Sequence, residues 1–244
     1  MELGFDDRVF IVTGGTRGLG LATARTLLAE GARVVLSGRG PDAQTVAATL
    51  GSPDRVTGLP ADNADPSTAE RLVVAAHETF GRLDGALISV GGPTHGAAME
   101  LDDDAWRHAF ESVFLGTLRI ARTVAAAAPG GSIAFVLATS VRTPFPGLAL
   151  SNGLRPGLGM LAKTLADEVG PAGTRVNGLL PGTIATDRAK ELATVAGMGT
   201  PTNALQRMGT PEEFGRVAAF VLSPAASYLT GSMIAIDGGA IQAL

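Results

Sequence analysis

A chain that sets Thr13-Gly14-Gly15-Thr16-Arg17-Gly18-Leu19-Gly20 between a β-branched apolar run and a stretch of helical period has few folds open to it. Glycine lets the backbone turn tightly and approach an anion, and the N–H groups and positive dipole end of the following helix stabilise that anion. Strand, glycine-rich turn and helix, in this order, open a doubly wound α/β unit that can hold a dinucleotide pyrophosphate. The spacing is GxxxGxG rather than GxGxxG, so the general fingerprint is met only loosely and a plain packing turn is the other reading.

The rest of the chain repeats the alternation. Short apolar, β-branched runs predict seven strands: Arg8 to Thr13, Arg33 to Ser37, Arg55 to Leu59, Gly85 to Ser89, Ser132 to Leu137, Arg175 to Leu179 and Met233 to Ile236. Their apolar character on successive residues suits a parallel sheet buried on both faces. Helices are expected over Leu19 to Glu30, Asp42 to Leu50, Pro66 to Phe80, Asp102 to Ala128, Leu148 to Val169 and Pro211 to Leu222. Asp65 before Pro66 and Thr210 before Pro211 each place an N-cap type ahead of a proline at N1. No repeat or linker divides residues 1–244, so a single α/β domain is expected. The stretch 185–208, with Gly197, Gly199 and Pro201, has the weakest period and is the lid candidate.

Composition narrows the partners. Nineteen Lys and Arg against 23 Asp and Glu give a net charge of −4, which does not supply the basic surface that nucleic acid requires. The absence of cysteine removes disulfides, thiolate metal sites and cysteine nucleophiles. No run approaches the roughly 18 apolar residues of a membrane span, and the opening segment has no basic n-region, so a soluble cytoplasmic protein is expected. No HxxxH or HExxH pair suggests a metal, and Asp102-Asp103-Asp104 reads as a helix start favoured by the dipole.

After the second strand stand Ser37 and Arg39, where a NAD enzyme would carry a carboxylate for the ribose diol. An arginine there can pair with a 2′-phosphate, and Arg17 in the glycine loop offers a second positive contact. NADP(H) is therefore expected over NAD(H), the bland alternative being that both arginines are solvated surface charges.

With these residues in place the chain resembles the short-chain dehydrogenase/reductase family over nearly its whole length. Besides the glycine loop, the resemblance rests on Asp62-Asn63 after the third strand and Leu83-Asp84 followed by Ile88-Ser89-Val90-Gly91-Gly92. It continues through Arg175-Val176-Asn177 into Pro181-Gly182-Thr183-Ile184-Ala185-Thr186, and ends with Tyr228-Leu229-Thr230-Gly231 and Asp237-Gly238-Gly239. It implies a Rossmann-like doubly wound parallel sheet and a homotetramer, closest in character to 3-oxoacyl-carrier-protein reductases and glucose dehydrogenase-like members. It also implies cofactor contacts from Gly14, Thr16, Arg17, Gly18, Leu19, Gly20, Asp62, Asn63, Gly91, Arg155, Pro181, Gly182, Ile184 and Thr186. The substrate would be a small-molecule or carrier-bound carbonyl compound.

The family's catalytic tetrad is the exception. Ser151 falls at the tyrosine position and Arg155 at the lysine position; Ala138 falls at the serine position, with Thr139 and Ser140 adjacent, and Val113 at the asparagine position, beside Ser112. The run Ser151-Asn152-Gly153-Leu154-Arg155 resembles a branch that writes Ser-Asn-x-x-Arg in place of Tyr-x-x-x-Lys. Without an adjacent base a serine hydroxyl is a poor acid or base near pH 7, and arginine is no base, though its fork binds ribose hydroxyls or an anion.

Other groups near the expected site are few. His95, in the loop after the fourth strand, lies where doubly wound folds bind ligands. His77 and His108 read as surface or helix-interface residues, Tyr228 as a packing or interface residue, and Asp187 and Arg188 as a helix cap and its neighbour. Arg142 either holds an acidic substrate or is a solvated loop charge. Three functional readings stay open: carbonyl reduction by hydride transfer with an atypical proton donor, non-redox catalysis such as dehydration or cyclisation, and a nucleotide-binding subunit without turnover.

Overall fold

The computed structural model describes residues 2–189 and 203–242. Seven parallel strands form one sheet in the order β3-β2-β1-β4-β5-β6-β7. They are β1 (Val9–Val12), β2 (Arg33–Gly38), β3 (Val56–Pro60), β4 (Gly85–Ile88), β5 (Ser132–Val136), β6 (Arg175–Pro181) and β7 (Met233–Ile236). The chain runs outward from β1 to β3 and then returns to place β4 on the other side of β1. That reversal opens a crevice beyond the carboxyl ends of β1 and β4, where ligands bind in such sheets. The seven strands and their sequence-predicted spans agree to within one or two residues.

Alternation across the pleat builds the two halves of the core. Val9, Ile11 and Val35 face one side, against Leu72 and Ala76 of helix α3 (Thr68–Phe80), Ile120 and Val124 of α5 (Gly116–Ala127), and Leu158 and Ala162 of α6 (Ala149–Val169). Phe10, Val12, Val34 and Leu36 face the other, against Leu27 of α1 (Gly18–Ala29), Ala47 of α2 (Ala43–Leu50) and Phe214 of the last described helix, α7 (Pro211–Leu222). Covering both faces is what allows the strands to be apolar throughout.

Two helix starts were read from the same cap-plus-proline signal, and they behave differently. At α7 the Thr210 hydroxyl accepts from the Glu213 N–H (3.2 Å) while the Glu213 carboxylate accepts from the Thr210 N–H (2.8 Å), a reciprocal cap. At α3 the Asp65 carboxylate accepts from both the N–H (2.8 Å) and the hydroxyl (2.9 Å) of Ser67, which closes a local turn. The helix therefore opens at Thr68, two residues beyond Pro66.

The single helix expected over Asp102 to Ala128 is interrupted. Helix α4 (Asp103–Ala109), capped by Asp102 accepting from the Ala105 N–H (2.8 Å), passes through a π-helical turn at Phe110–Leu115 before α5 continues. Helix α5 starts on Gly116, where a Cβ would stand 2.3 Å from the carbonyl oxygen of Asn63. Only glycine lets that helix lie so close to the segment after β3.

Candidate active site

The glycine loop is built by contacts that leave no room for side chains. Gly14 and Gly18 hold φ of +59° and +56°, and a Cβ on Gly20 would stand 2.3 Å from the Gly14 carbonyl oxygen. Thr13 fastens the loop to the end of β4: its hydroxyl donates to the Ser89 carbonyl (2.7 Å) and accepts from the Ser89 N–H (2.8 Å). Gly15 N–H donates to the Ser37 carbonyl (2.8 Å), which fixes the loop against β2. Thr16 packs on Gly38, where a Cβ would meet its side chain at 2.7 Å.

Arg17 and Arg39 are exposed at the rim of this loop. Arg39 leans across the crevice, with Nη2 3.4 Å from where a Cβ on Gly91 would stand, so residues from the ends of β2 and β4 meet over the switch point. Ser37, beside Arg39, is turned into the protein. Its side chain is fully buried and its Oγ has no partner among the described residues; what it contributes at the loop is its carbonyl. Asp62 is exposed and its carboxylate accepts from the Ala64 N–H (3.0 Å), while the Asn63 amide points at the Thr13 hydroxyl at 3.5 Å.

On the far side of the crevice the end of β6 turns sharply. Gly182 N–H donates to the Ile236 carbonyl (3.0 Å), and a Cβ there would stand 2.7 Å from the Asp237 Cα, so Pro181 and Gly182 lie tight against β7. Ile184 is buried and bridges Gly209. Thr186 packs on Gly18, and its hydroxyl caps the segment that follows by accepting from the Ala189 N–H (3.2 Å). Arg188 crosses to the loop after β4 and donates to the Pro93 carbonyl (3.0 Å). Most of the lid candidate 185–208 lies outside the described residues.

The tetrad positions converge at the carboxyl end of β5. A 3₁₀ turn, Thr139–Val141, follows the strand and turns Ser140 back towards α6. The Oγ atoms of Ser140 and Ser151 are 3.3 Å apart and both residues are buried. The hydroxyl that meets Ser151 is therefore that of Ser140, two residues beyond Ala138, where alignment to the family places the serine. Val113, in the π turn, is buried and offers no polar side chain.

Asn152 has a task that the sequence reading did not assign. Its amide donates to the Phe145 carbonyl (2.7 Å) and its side-chain oxygen accepts from the Phe145 N–H (3.1 Å), which pins the loop between Ser140 and Ser151. The signal was present in the Ser-Asn-x-x-Arg run, but its partner lies in an irregular loop with no periodic pattern.

Arg155, one helical turn beyond Ser151, is 7% exposed and donates through Nη1 to the carbonyls of Val136 and Leu137, both at 2.9 Å. Burial, with a smaller effect from the charge of Arg188, pulls its pKa down to about 10, so it remains a cation at neutral pH. His95 is half-buried, and the loop that carries it is docked through the next residue. Gly96 N–H donates to the Gly147 carbonyl (2.9 Å) and Ala149 N–H to the Gly96 carbonyl (3.3 Å), docking this loop on the first turn of α6.

The remaining candidates lie elsewhere. His77 and His108 are exposed on helices. Arg142 is exposed and reaches the Met233 carbonyl at 3.4 Å, at the start of β7. Tyr228 is fully exposed and packs against none of the described residues. No cluster of metal-ligating side chains occurs among the described residues, nor any helix long and apolar enough to cross a membrane.

Known proteins share the sequence pattern and the fold. The profile of a family described as Enoyl-(Acyl carrier protein) reductase matches residues 14–240. Dehydrogenase/reductase SDR family member 4 of Bos taurus is 32% identical over 98% of this chain and 89% of its own. L-Sorbose reductase from Gluconobacter frateurii, solved with NADPH and L-sorbose, superposes over 100% of both chains with a TM-score of 0.90 at 29% identity. A short-chain oxidoreductase from Pseudomonas aeruginosa PAO1, described as containing an atypical catalytic center, gives a TM-score of 0.90 at 25% identity, over 99% of this chain and 100% of its own.

Proposed function

The chain belongs to the short-chain dehydrogenase/reductase family, and on that premise we propose that it binds NADP(H) in the crevice and reduces a carbonyl compound with an atypical proton donor. Support for the cofactor comes from the loop itself. Gly14 and Gly18 hold a left-handed backbone and a Cβ on Gly20 would meet the Gly14 carbonyl, so the tight turn requires glycine, at the start of a helix whose first N–H groups take no side-chain cap. Gly14, Thr16, Arg17, Gly18, Leu19 and Gly20 would hold the pyrophosphate, Asp62, Asn63 and Gly91 the adenosine, and Pro181, Gly182, Ile184 and Thr186 the nicotinamide. Arg39 and Arg17 would pair with the 2′-phosphate, and Ser37 would act through the carbonyl that fixes Gly15.

When bound, the cofactor supplies the hydride. The observation that carries the rest is the Ser140–Ser151 hydroxyl pair, buried at the tetrad position. Two hydroxyls at this separation can both be directed at one carbonyl oxygen, which stabilises the negative charge that develops there. Neither is acidic enough to give up a proton as a tyrosine does, so the proton enters through Ser151 from water or from His95. Val113 offers no polar side chain on the helix side, and Arg155 holds the end of β5 in place.

The direct test is NADPH oxidation over a panel of carbonyl compounds, with NADPH binding followed by fluorescence. Binding with slow, Ser151-dependent turnover is expected; no NADPH binding would overturn the reading. A second reading, non-redox catalysis or a cofactor-binding subunit without turnover, is favoured by the lack of a strong acid or base at Ser140, Ser151 and Val113, and NADPH binding with no turnover of any compound would select it. A homotetramer is part of the proposal.

A further inference from the structure

A side-chain amide on α6 takes the place of a strand partner. The half-buried Asn152 gives both a donor and an acceptor to one residue: its Nδ2 donates to the Phe145 carbonyl (2.7 Å) and its Oδ1 accepts from the Phe145 N–H (3.1 Å). Phe145 stands midway in the irregular stretch between the 3₁₀ turn that carries Ser140 and the helix turn that carries Ser151. Two residues further on, the same stretch holds a second loop. The Gly147 carbonyl accepts from the Gly96 N–H (2.9 Å), and the Gly96 carbonyl accepts from the Ala149 N–H (3.3 Å). The loop after β4, with His95, therefore hangs on the segment that Asn152 fixes. Gly147 turns the chain between the two clamps at a φ of +70°, a conformation that favours glycine.

From this juxtaposition we infer that Asn152 is a positioning residue. Through Phe145 it holds Ser140 on Ser151, and through Gly147 and Gly96 it ties the His95 loop to the same frame, so that the hydroxyl pair and that loop move as one unit. The inference rests on the reading of this site as a carbonyl-reducing one and adds a residue that acts through others. An amide is required for chemical reasons. Alanine makes neither bond. A carboxylate only accepts and sets its charge against the Phe145 carbonyl, whereas a carboxylic acid both donates and accepts, as the amide does. Asn152→Asp is therefore expected to be loose while ionised and clamped when protonated. Because the neutral form is the bonded one, the carboxyl pKa at this position rises above about 3.9; the clamp is present below the raised value and is lost as the pH rises through it.

The test compares the unaltered protein, Asn152→Ala and Asn152→Asp by amide hydrogen exchange and by NADPH-dependent carbonyl reduction, from neutral pH down to the 4.5 below which the Glu213 contribution begins to fade. At neutral pH both variants should lose protection at the Phe145 N–H and, across the bridge, at the Gly96 N–H. Lowering the pH should restore it in Asn152→Asp and not in Asn152→Ala. Loss at Phe145 with Gly96 unchanged would overturn the link between the two loops. In the assay, kcat of Asn152→Ala should fall at least about tenfold, the scale of a misplaced group, with NADPH affinity unchanged. In a Ser140→Ala background the same change should cost clearly less, because a group that it positions has gone. Acid should raise kcat of Asn152→Asp relative to Asn152→Ala. The other titratable groups on the elements joined here are Arg142, Arg155, His95, Glu100 and, on α4, whose Trp106 packs on Gly153, His108; both variants share them, so the ratio isolates position 152. A purely structural role makes NADPH affinity fall together with kcat and makes the losses at 140 and 152 multiply; either result, or an unchanged kcat in Asn152→Ala, would overturn the inference. If Asn152→Ala does not fold, Asn152→Asp followed against pH decides. If the unaltered protein reduces no carbonyl compound, the redox reading fails, and the exchange data alone decide whether Asn152 ties the two loops.

Discussion

The hydroxyl oxygens of Ser140 and Ser151 lie 3.3 Å apart in a buried setting, joined across a loop that Asn152 pins at Phe145. Each hydroxyl can orient the other, so the two form one polar unit at the place where the family carries a serine and a tyrosine. Carbonyl reduction is expected to be at least about a hundredfold slower than with a positioned acid, whose usual contribution is 10²–10⁴. Ser140→Ala and Ser151→Ala should each lower kcat, and the double variant should lose little more than the worse single one, because residues acting as a unit are not additive. Multiplicative losses in kcat would show that the pair does not act together. Comparing His95→Ala in the same assay separates a proton route through His95 from one through water.

Arg39 lies over the crevice towards Gly91, so its charge should decide between the two cofactors. NADPH should bind roughly ten- to a hundredfold more tightly than NADH, the range of a charge-assisted pair. Arg39→Asp should invert that ratio in a fluorescence titration. Equal affinities in the unaltered protein would remove Arg39 from the 2′-phosphate.

Gly20→Ala places a Cβ 2.3 Å from the Gly14 carbonyl oxygen, so the loop must move away from the helix start. Losing even one hydrogen bond to a charged phosphate costs about tenfold in affinity, and NADPH binding should weaken by at least about that factor. Ala substitution at Gly170, where no atom lies within 4 Å and the backbone is right-handed helical, serves as the control that keeps its affinity.

The start of α7 should titrate in acid. Arg207 and the Thr210 N–H hold the Glu213 carboxyl down at about 2, below its ordinary 4.5. A carboxylate whose pKa is depressed in the folded state contributes stability that is present above pH 4.5 and is lost as the pH falls towards 2. Urea midpoints measured across that window should fall less steeply for Glu213→Gln than for the unaltered protein. At neutral pH Thr210→Ala, which removes the other half of the reciprocal cap, should cost about 1 kcal/mol.

Association is expected through the helices after β4 and β5. Phe110, stacked on Phe114, is 42% exposed and Met160 on α6 is 70% exposed, side chains that water covers poorly. Light scattering should return a mass near four times 24.7 kDa. A mass near 24.7 kDa at micromolar concentration would overturn the tetramer.

The sequence alone determined the seven strands, the glycine loop and the order in which they come, because these depend on patterns that repeat within a few residues. Val9 to Val12 are apolar on both faces wherever the chain places them, and Gly14, Gly18 and Gly20 adopt their turn for steric reasons local to it. Caps followed the same logic at Thr210 and failed at Asp65, where a carboxylate had two nearby donors on Ser67 and took them ahead of the helix. Tertiary structure decided what meets across loops. Residue spacing set Ala138 at the serine position, yet a 3₁₀ turn brings Ser140 to Ser151. The π turn appeared where Gly116 packs on Asn63, a contact between segments far apart in the chain. Arg155 could be read from the sequence as a cation; that it is buried, bonded only to the carbonyls of Val136 and Leu137 and left with an unused edge follows from the end of β5 lying against α6. Periodicity and local sterics are encoded residue by residue, whereas a buried charge acquires its chemistry from neighbours that only folding assembles.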